Sequence, residues 1–159
     1  MRFPKFLAAA CVAFVFSSVH AQSLPGGIAL GMSVPQLQQA QPDVKRVPHP
    51  ARLAGGLVGS WSGPAVAVGG VAMTPTFFFA EGQLQRIEYL ARDGRPGAYD
   101  ALLAWARRGW GAELAENAPE GAYASWSSED TNLYLQKPAS GGPVRLVVKR
   151  RVAKDAGEL

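Results

Sequence analysis

The sequence predicts an α+β fold: two tandem α-β-β-β units forming one antiparallel sheet, with two helices packed on one face. Three observations carry this expectation. Gly56-Leu57-Val58-Gly59-Ser60-Trp61-Ser62-Gly63 aligns with Gly121-Ala122-Tyr123-Ala124-Ser125-Trp126-Ser127-Ser128, sharing a glycine and then Ser-Trp-Ser, 65 positions apart. Downstream, Thr76-Phe77-Phe78-Phe79 has a counterpart in Asn132-Leu133-Tyr134-Leu135, and Gly82-Gln83-Leu84 in Gly142-Pro143-Val144. A helix signal precedes each tryptophan, and the valine-, phenylalanine- and threonine-rich runs are broken by Gly-Gly, Gly-Pro and Glu-Gly turns. Short hairpins without long crossovers argue for antiparallel pairing with the helices on one side.

The first segment is expected to leave the mature protein. Residues 1–21 read as a signal peptide: Arg2 and Lys5 start it, Phe6 to Phe16 form its apolar core, and Val19 and Ala21 precede the cut. Cleavage after Ala21 makes the protein periplasmic or secreted. No segment is continuously apolar over the roughly 20 residues of a spanning helix, so no transmembrane segment is expected. Leu7-Ala8-Ala9-Ala10-Cys11 loosely resembles a lipoprotein box, but Ala8 stands where a larger aliphatic is usual and Val12 to Phe16 continue the apolar core. Without Cys11 the mature chain has no cysteine, and stability must come from an ordinary core rather than disulfides.

Removing 21 of the 159 residues leaves 138, the size of one domain, with 14 Lys and Arg against 12 Asp and Glu, a balance of +2. Lys45-Arg46 with His49 and Arg52, and Lys149-Arg150-Arg151 with Lys154, are local basic clusters. They read as solvated faces, or as contacts for anionic lipid, glycan or an acidic partner. Nucleic acid is not an expected partner outside the cytoplasm. The single domain is read as 22–151, with repeat 1 over about 28–91, repeat 2 over about 95–150 and a flexible tail at 152–159.

Repeat 1 opens with GIALGMSVPQLQQAQP over 27–42. Its glycines lack both the lysine of a phosphate loop and the three-glycine spacing of a dinucleotide loop. Ser33 instead caps a short helix, with Pro35 tolerated in the first turn and Gln36 placed as in a capping box. Val34, Leu37 and Ala40 share one side, and Pro42 ends it. Residues 43–55, with Pro48-His49-Pro50, read as a loop, and strands are expected near 57–62, 65–68, 71–79 and 83–90. In repeat 2 a helix from about Gly97 to Arg108 carries Tyr99, Leu102, Leu103 and Ala106 at helical spacing. Arg107 and Arg108 suit the negative end of its dipole, and Gly109 suits a left-handed stop. Strands near 121–127, 131–136 and 143–149 complete the unit.

Leu30-Gly31-Met32-Ser33 leading a short helix, the aromatic strands, and Phe79-Ala80-Glu81-Gly82-Gln83-Leu84 together resemble the repeat unit of the β-lactamase-inhibitor protein group. Small outer-membrane assembly lipoproteins are similar in the same way. The resemblance covers about half of the mature chain and rests on turn-type motifs. The chain departs from the first group in lacking its disulfides and from the second in lacking a regular lipobox. The resemblance implies a protein that binds other proteins through a sheet face and is not an enzyme.

Period-two alternation sorts the faces. Trp61 and Trp126, flanked on their own face by small residues, are expected under the helices with Phe77, Phe79, Leu133, Leu135, Leu146 and Val148. The opposite face carries Ser60, Ser62, Ser125, Ser127, Phe78, Tyr123, Tyr134 and Arg145. Tyr123, Tyr134, Phe78 and Arg145 are the candidate binding residues, because tyrosine and arginine supply much of the energy of contact patches. Leu84 and Ile87 lie three apart, which predicts a bulge near Gln85-Arg86 and leaves the face of Arg86 open. Trp105 and Trp110, near the end of the second helix, read as edge packing, with a second contact surface as the alternative.

Catalytic chemistry finds little support. His49 is the only histidine of the mature chain and sits between two prolines, a poor place for a Ser–His–acid triad; Gly59-Ser60-Trp61-Ser62-Gly63 is not a nucleophile elbow. One histidine and no cysteine do not make a zinc or copper site. The acidic residues from Glu81 to Asp130 are numerous enough for a carboxylate pair, but spacing selects none. The reading is a monomeric, non-enzymatic binding module for a protein or envelope component, with no cofactor or metal. The alternatives are a small-molecule or lipid carrier with a cavity between sheet and helices, and a cell-wall hydrolase using a carboxylate pair.

Overall fold

Over residues 24–92 and 94–151, which this computed structural model describes, the chain alternates between helices and antiparallel strands. The leader expected at 1–21, with Ala21 and Cys11, and the tail expected at 152–159 lie outside those residues. Helix α1 (Val34–Ala40) starts at a complete capping box: the Gln36 amide donates to the Ser33 hydroxyl, and the Ser33 amide donates to Gln36 Oε1 at 2.8 Å. Strands β1 (Lys45–Arg46), β2 (Val58–Ser62), β3 (Val66–Val68), β4 (Val71–Ala80) and β5 (Gln83–Ala91) follow. Helix α2 (Ala98–Trp110) then leads into β6 (Leu114–Ala118), β7 (Gly121–Ser127), β8 (Thr131–Pro138) and β9 (Arg145–Arg150).

One antiparallel sheet results, in the order β1-β2-β4-β5-β9-β8-β7-β6, so that the last strand after each helix meets the other at the centre. The ten-residue β4 shares one edge between β2 and β3, with the break near Pro75. The Pro75 carbonyl accepts from the Gly63 amide at 3.2 Å and from Ser62 Oγ at 2.9 Å. A strand residue points its nitrogen to the same side as its carbonyl, so the missing N–H of Pro75 falls in that break and removes no ladder bond.

Leu37 of α1 and Ala98, Leu102 and Ala106 of α2 share one buried core with Phe77, Phe79, Leu84, Ile87, Leu133, Leu135, Leu146 and Val148. Both helices therefore cover the same face, and the fold is α+β. Each of the large apolar side chains in this layer is worth about 1.5–3 kcal/mol of burial. The segment before α1 is strapped to the sheet as well: the Gly31 amide donates to the Leu84 carbonyl at 2.7 Å, and Leu84 returns a bond to Met32 at 2.8 Å.

Several elements differ from the sequence expectation. Helix α2 passes through Gly109 to Trp110; the stop is Gly111, at φ 81°, whose amide donates to the Arg107 carbonyl at 3.0 Å. Trp105 and Trp110, by contrast, agree with the expected edge packing: both are half-buried against the core. Strand β6 was not expected. The segment read as a loop over 43–55 instead lines β2: Val47 donates to Ser60, Gly59 donates to Ala51, and Leu53 donates to Leu57, each at 2.9 Å.

The bulge predicted near Gln85 is present, since Phe78 pairs with Arg86 while Phe79 pairs with Leu84. A second register shift occurs at Ser60, where Gly59 pairs with Phe78 but Trp61 pairs with Phe77. Gly59 thus moves away from the Trp61 side, where alternation had placed it. Trp61 faces the helices but is only half-buried, with the Arg46 guanidinium 5.5 Å from its ring. Trp126 is buried in the core, and its Nε1 donates to the Gly111 carbonyl at 3.0 Å, tying β7 to the end of α2.

Candidate binding face

The sheet face turned away from the helices is crossed by three rows of side chains, each set by the strand register. The first runs Phe78, Arg86, Lys149, Asn132, Ser127. The second runs Ser62, Thr76, Glu88, Val147, Tyr134, Ser125 and ends at Leu114, which is 80% exposed on the edge. The third runs Thr74, Leu90, Arg145, Gln136, Tyr123, with Glu116 opposite Tyr123 in the backbone register.

All four candidate residues lie on this face, in three different positions. Tyr123 and Tyr134 come together, with ring centroids 6.1 Å apart and planes tilted by 35°. Arg145 is exposed in the third row, between Leu90 and Gln136. Phe78 lies apart from the tyrosines and is only 2% exposed. Its ring packs on Gly59, and the Arg86 guanidinium lies 5.8 Å from its centroid. Phe78 is thus a foundation of the face rather than its contact surface.

The serines contribute less free polarity than their number suggests. Ser60 Oγ donates to the Val58 carbonyl at 3.4 Å, Ser62 Oγ to the Pro75 carbonyl, and Ser127 Oγ to Asn132 Oδ1 at 2.5 Å.

Three further residues shape the electrostatics. Arg86 and Glu88, two apart on β5, form a half-buried ion pair with Nε to Oε1 at 2.9 Å. Lys149, directly opposite Arg86, places its ammonium 5.0 Å from the centroid of Tyr134. Like charges opposite one another on a sheet repel; here Glu88 neutralises one and the Tyr134 ring accommodates the other. Once the bulge is located at Gln85, the i, i+2 spacing of Arg86 and Glu88 is the sequence signal for this pair. The partnership of Lys149 with Tyr134 depends on the register of β8 against β9, which no local motif encodes.

A surface cleft of about 380 Å³ is lined by Glu120, Gly121, Ala122, Tyr123, Gln136, Lys137 and Pro138. Another, of about 410 Å³, lies beside Asp43, Lys45, Ser62, Gly63 and Pro64. Among the described residues no group of three or more His, Cys, Asp or Glu is arranged to hold a metal ion. Glu88 is engaged by Arg86 and Glu113 by Arg107, an arrangement for ion pairing rather than for proton transfer. No described helix is long and apolar enough to cross a membrane. Comparison with protein-family models, curated proteins and solved structures finds no match to this chain.

Proposed function

We propose that the chain is an exported, non-enzymatic binding module that recognises a protein or an envelope component through the outer face of its sheet. The observation that carries this reading is the polar-aromatic face opposite the helices, joined across β9, β8 and β7 by Lys149, Tyr134 and Tyr123. The face is three outward positions deep on the five strands β4, β5, β9, β8 and β7 and extends to β2 and β6 in its middle row; at about 4.8 Å between strands this is roughly 400–500 Å². That is somewhat more than half of the roughly 800 Å² per partner of a standard protein interface. The helix–sheet layer is filled by side chains at zero exposure, among them Leu37, Leu84, Ile87, Leu102 and Leu133, which favours surface recognition over carriage of a ligand inside. The periplasm or the extracellular space is the compartment this reading takes from the N-terminal signal.

Cross-linking capture from envelope extract with tagged mature protein tests the proposal. One specific partner is expected, lost on combining Tyr123→Ala with Tyr134→Ala while the far-UV spectrum stays unchanged. Capture that survives the double substitution rules out the face as the contact surface.

A further inference from the structure

We infer that the outer face takes an acidic polypeptide segment, anchored by Arg145 with Arg92 beside it. This rests on the binding-face reading and adds the chemistry of the partner. On β4, β5, β7, β8 and β9 the described outward charges are Arg86, Arg92, Arg145 and Lys149 against Glu88, a balance of +3. Arg92 lies one residue past β5, yet its amide still donates to the Ala72 carbonyl at 3.1 Å. That bond continues the register in which Thr74 meets Leu90, and it keeps the exposed Arg92 side chain on the outer side. Glu116, on β6, is three strands away from Arg145.

Arg145 is surrounded by positions that leave its charge unanswered. Its register partners, Leu90 and Gln136, are neutral. Its diagonal neighbours on β5 are Glu88 and Arg92, at the roughly 7–8 Å of such pairs. Glu88 is taken, because its Oε1 accepts from Arg86 Nε at 2.9 Å, and Arg92 repeats the positive charge. Neither Arg145 nor Arg92 has an ion pair among the described residues. Like charges this close repel, so a carboxylate entering between them relieves that repulsion. A guanidinium fork also matches the two oxygens of a carboxylate. Leu90, opposite Arg145 and 40% exposed, offers cover to an apolar side chain next to that carboxylate.

Lys149 supplies a second anchor on the same side of β9, four residues on and so about 13 Å away. An extended segment lying along β9 with carboxylates four residues apart meets both anchors, and charged segments of this kind are commonly read by arginine clusters. Other occupants fit less well. Anionic bilayers are held by clusters of about four to eight Lys and Arg, whereas here Arg86 is neutralised by Glu88 and three cations remain. A second copy docked about a two-fold axis would set one positive face against another.

Fluorescence anisotropy of a labelled twelve-residue peptide repeating Asp-Glu-Leu, titrated with the purified protein, tests the assignment. Binding should saturate, weaken as salt rises from about 50 to about 300 mM, and vanish for the matched Asn-Gln-Leu peptide. Arg145→Gln should weaken it about tenfold and Arg92→Gln by a smaller factor, with far-UV spectra unchanged. Arg108→Gln, at an exposed position on α2, should leave it as it is. No saturable binding, equal binding of the uncharged peptide, or equal binding by Arg145→Gln overturns the proposal. Tighter binding through the same arginines to phosphatidylglycerol vesicles overturns it in favour of a lipid surface. Partner capture that needs Tyr123 and Tyr134 but is indifferent to Arg145→Gln and to competing acidic peptide overturns the acidic class alone. Peptide binding that depends on Arg145, with no envelope partner captured, supports the acidic segment and leaves the failure with the broader reading.

Discussion

Replacing Phe78 by alanine should unfold the sheet's outer face rather than merely blunt a contact. The side chain is 2% exposed, so its truncation belongs with buried Phe→Ala changes, at about 3–5 kcal/mol. That is a large share of the roughly 5–15 kcal/mol by which a domain is stable. Gly59 makes the claim sharper, because its φ lies outside the left-handed region and a Cβ built on it would sit 2.8 Å from Phe78 Cε1 and 2.9 Å from Cζ. Gly59→Ala therefore meets the ring first, at an overpacking cost of about 1–3 kcal/mol. With Phe78 already alanine, the added methyl enters vacated space and that cost should fall towards zero, a coupling of about 1–3 kcal/mol. Urea denaturation of the four proteins of the cycle measures both terms, and thermal midpoints should fall by about 10 °C or more for Phe78→Ala. A loss below about 1 kcal/mol for Phe78→Ala, or an additive cycle, refutes the packing assigned to this ring.

Glu113 accepts from Arg107 Nε at 2.9 and 3.1 Å, and these hydrogen bonds, helped by a backbone amide, bring its carboxyl down to about 2. A lowered carboxylate contributes stability that is present above its ordinary value near 4.5 and lost as pH falls towards 2. Urea midpoints should therefore drop more steeply over that range in the wild type than in Glu113→Gln; parallel curves would remove the ion pair from the account. Burial pushes the Tyr89 hydroxyl well above the usual phenol range, so stability should hold below pH 10 and decline as pH rises further. Phenolate absorbance should show one tyrosine ionising only as the protein unfolds, and Tyr89→Phe should abolish that lag. Trp126→Phe removes the 3.0 Å bond to the Gly111 carbonyl and should cost about 1–2 kcal/mol in urea denaturation, with a loss under about 0.5 kcal/mol contradicting the tie.

Local chemistry made much of this fold legible. The Ser33–Gln36 capping box fixed the start of α1, alternation separated Phe77 and Phe79 from Phe78, and the spacing of Leu84 and Ile87 revealed the bulge at Gln85. Features created by pairing were not legible. Leu114-Ala115-Glu116-Asn117-Ala118 has little intrinsic strand preference and extends because β7 offers it a ladder across a two-residue turn. Either Gly109 or Gly111 satisfies the rule for ending a helix, and α2 continues to Trp110, which packs at the edge of the core. The burial of Phe78 needs the second bulge, at Ser60, to bring Gly59 opposite the ring; nothing within either strand announces that meeting. The candidate face was consequently read correctly as a set of outward positions, but not as a division between supporting and contacting side chains.

The edges of the sheet are less suited to association than its face. At one edge β1 is two residues long and is followed by Pro48 and Pro50, while the chain from Val47 to Leu53 bonds back onto β2. At the other, β6 has only five residues. Short and interrupted edges are usual guards against strand addition. On the face, Arg86 is bound to Glu88 and Lys149 sits over Tyr134, so these side chains are held in place before any partner arrives. Arg145 has no paired carboxylate among the described residues. A ligand that supplies an oxygen to Arg145 would therefore gain a contact without first breaking an ion pair among the described residues, which is the energetic advantage of a preorganised surface.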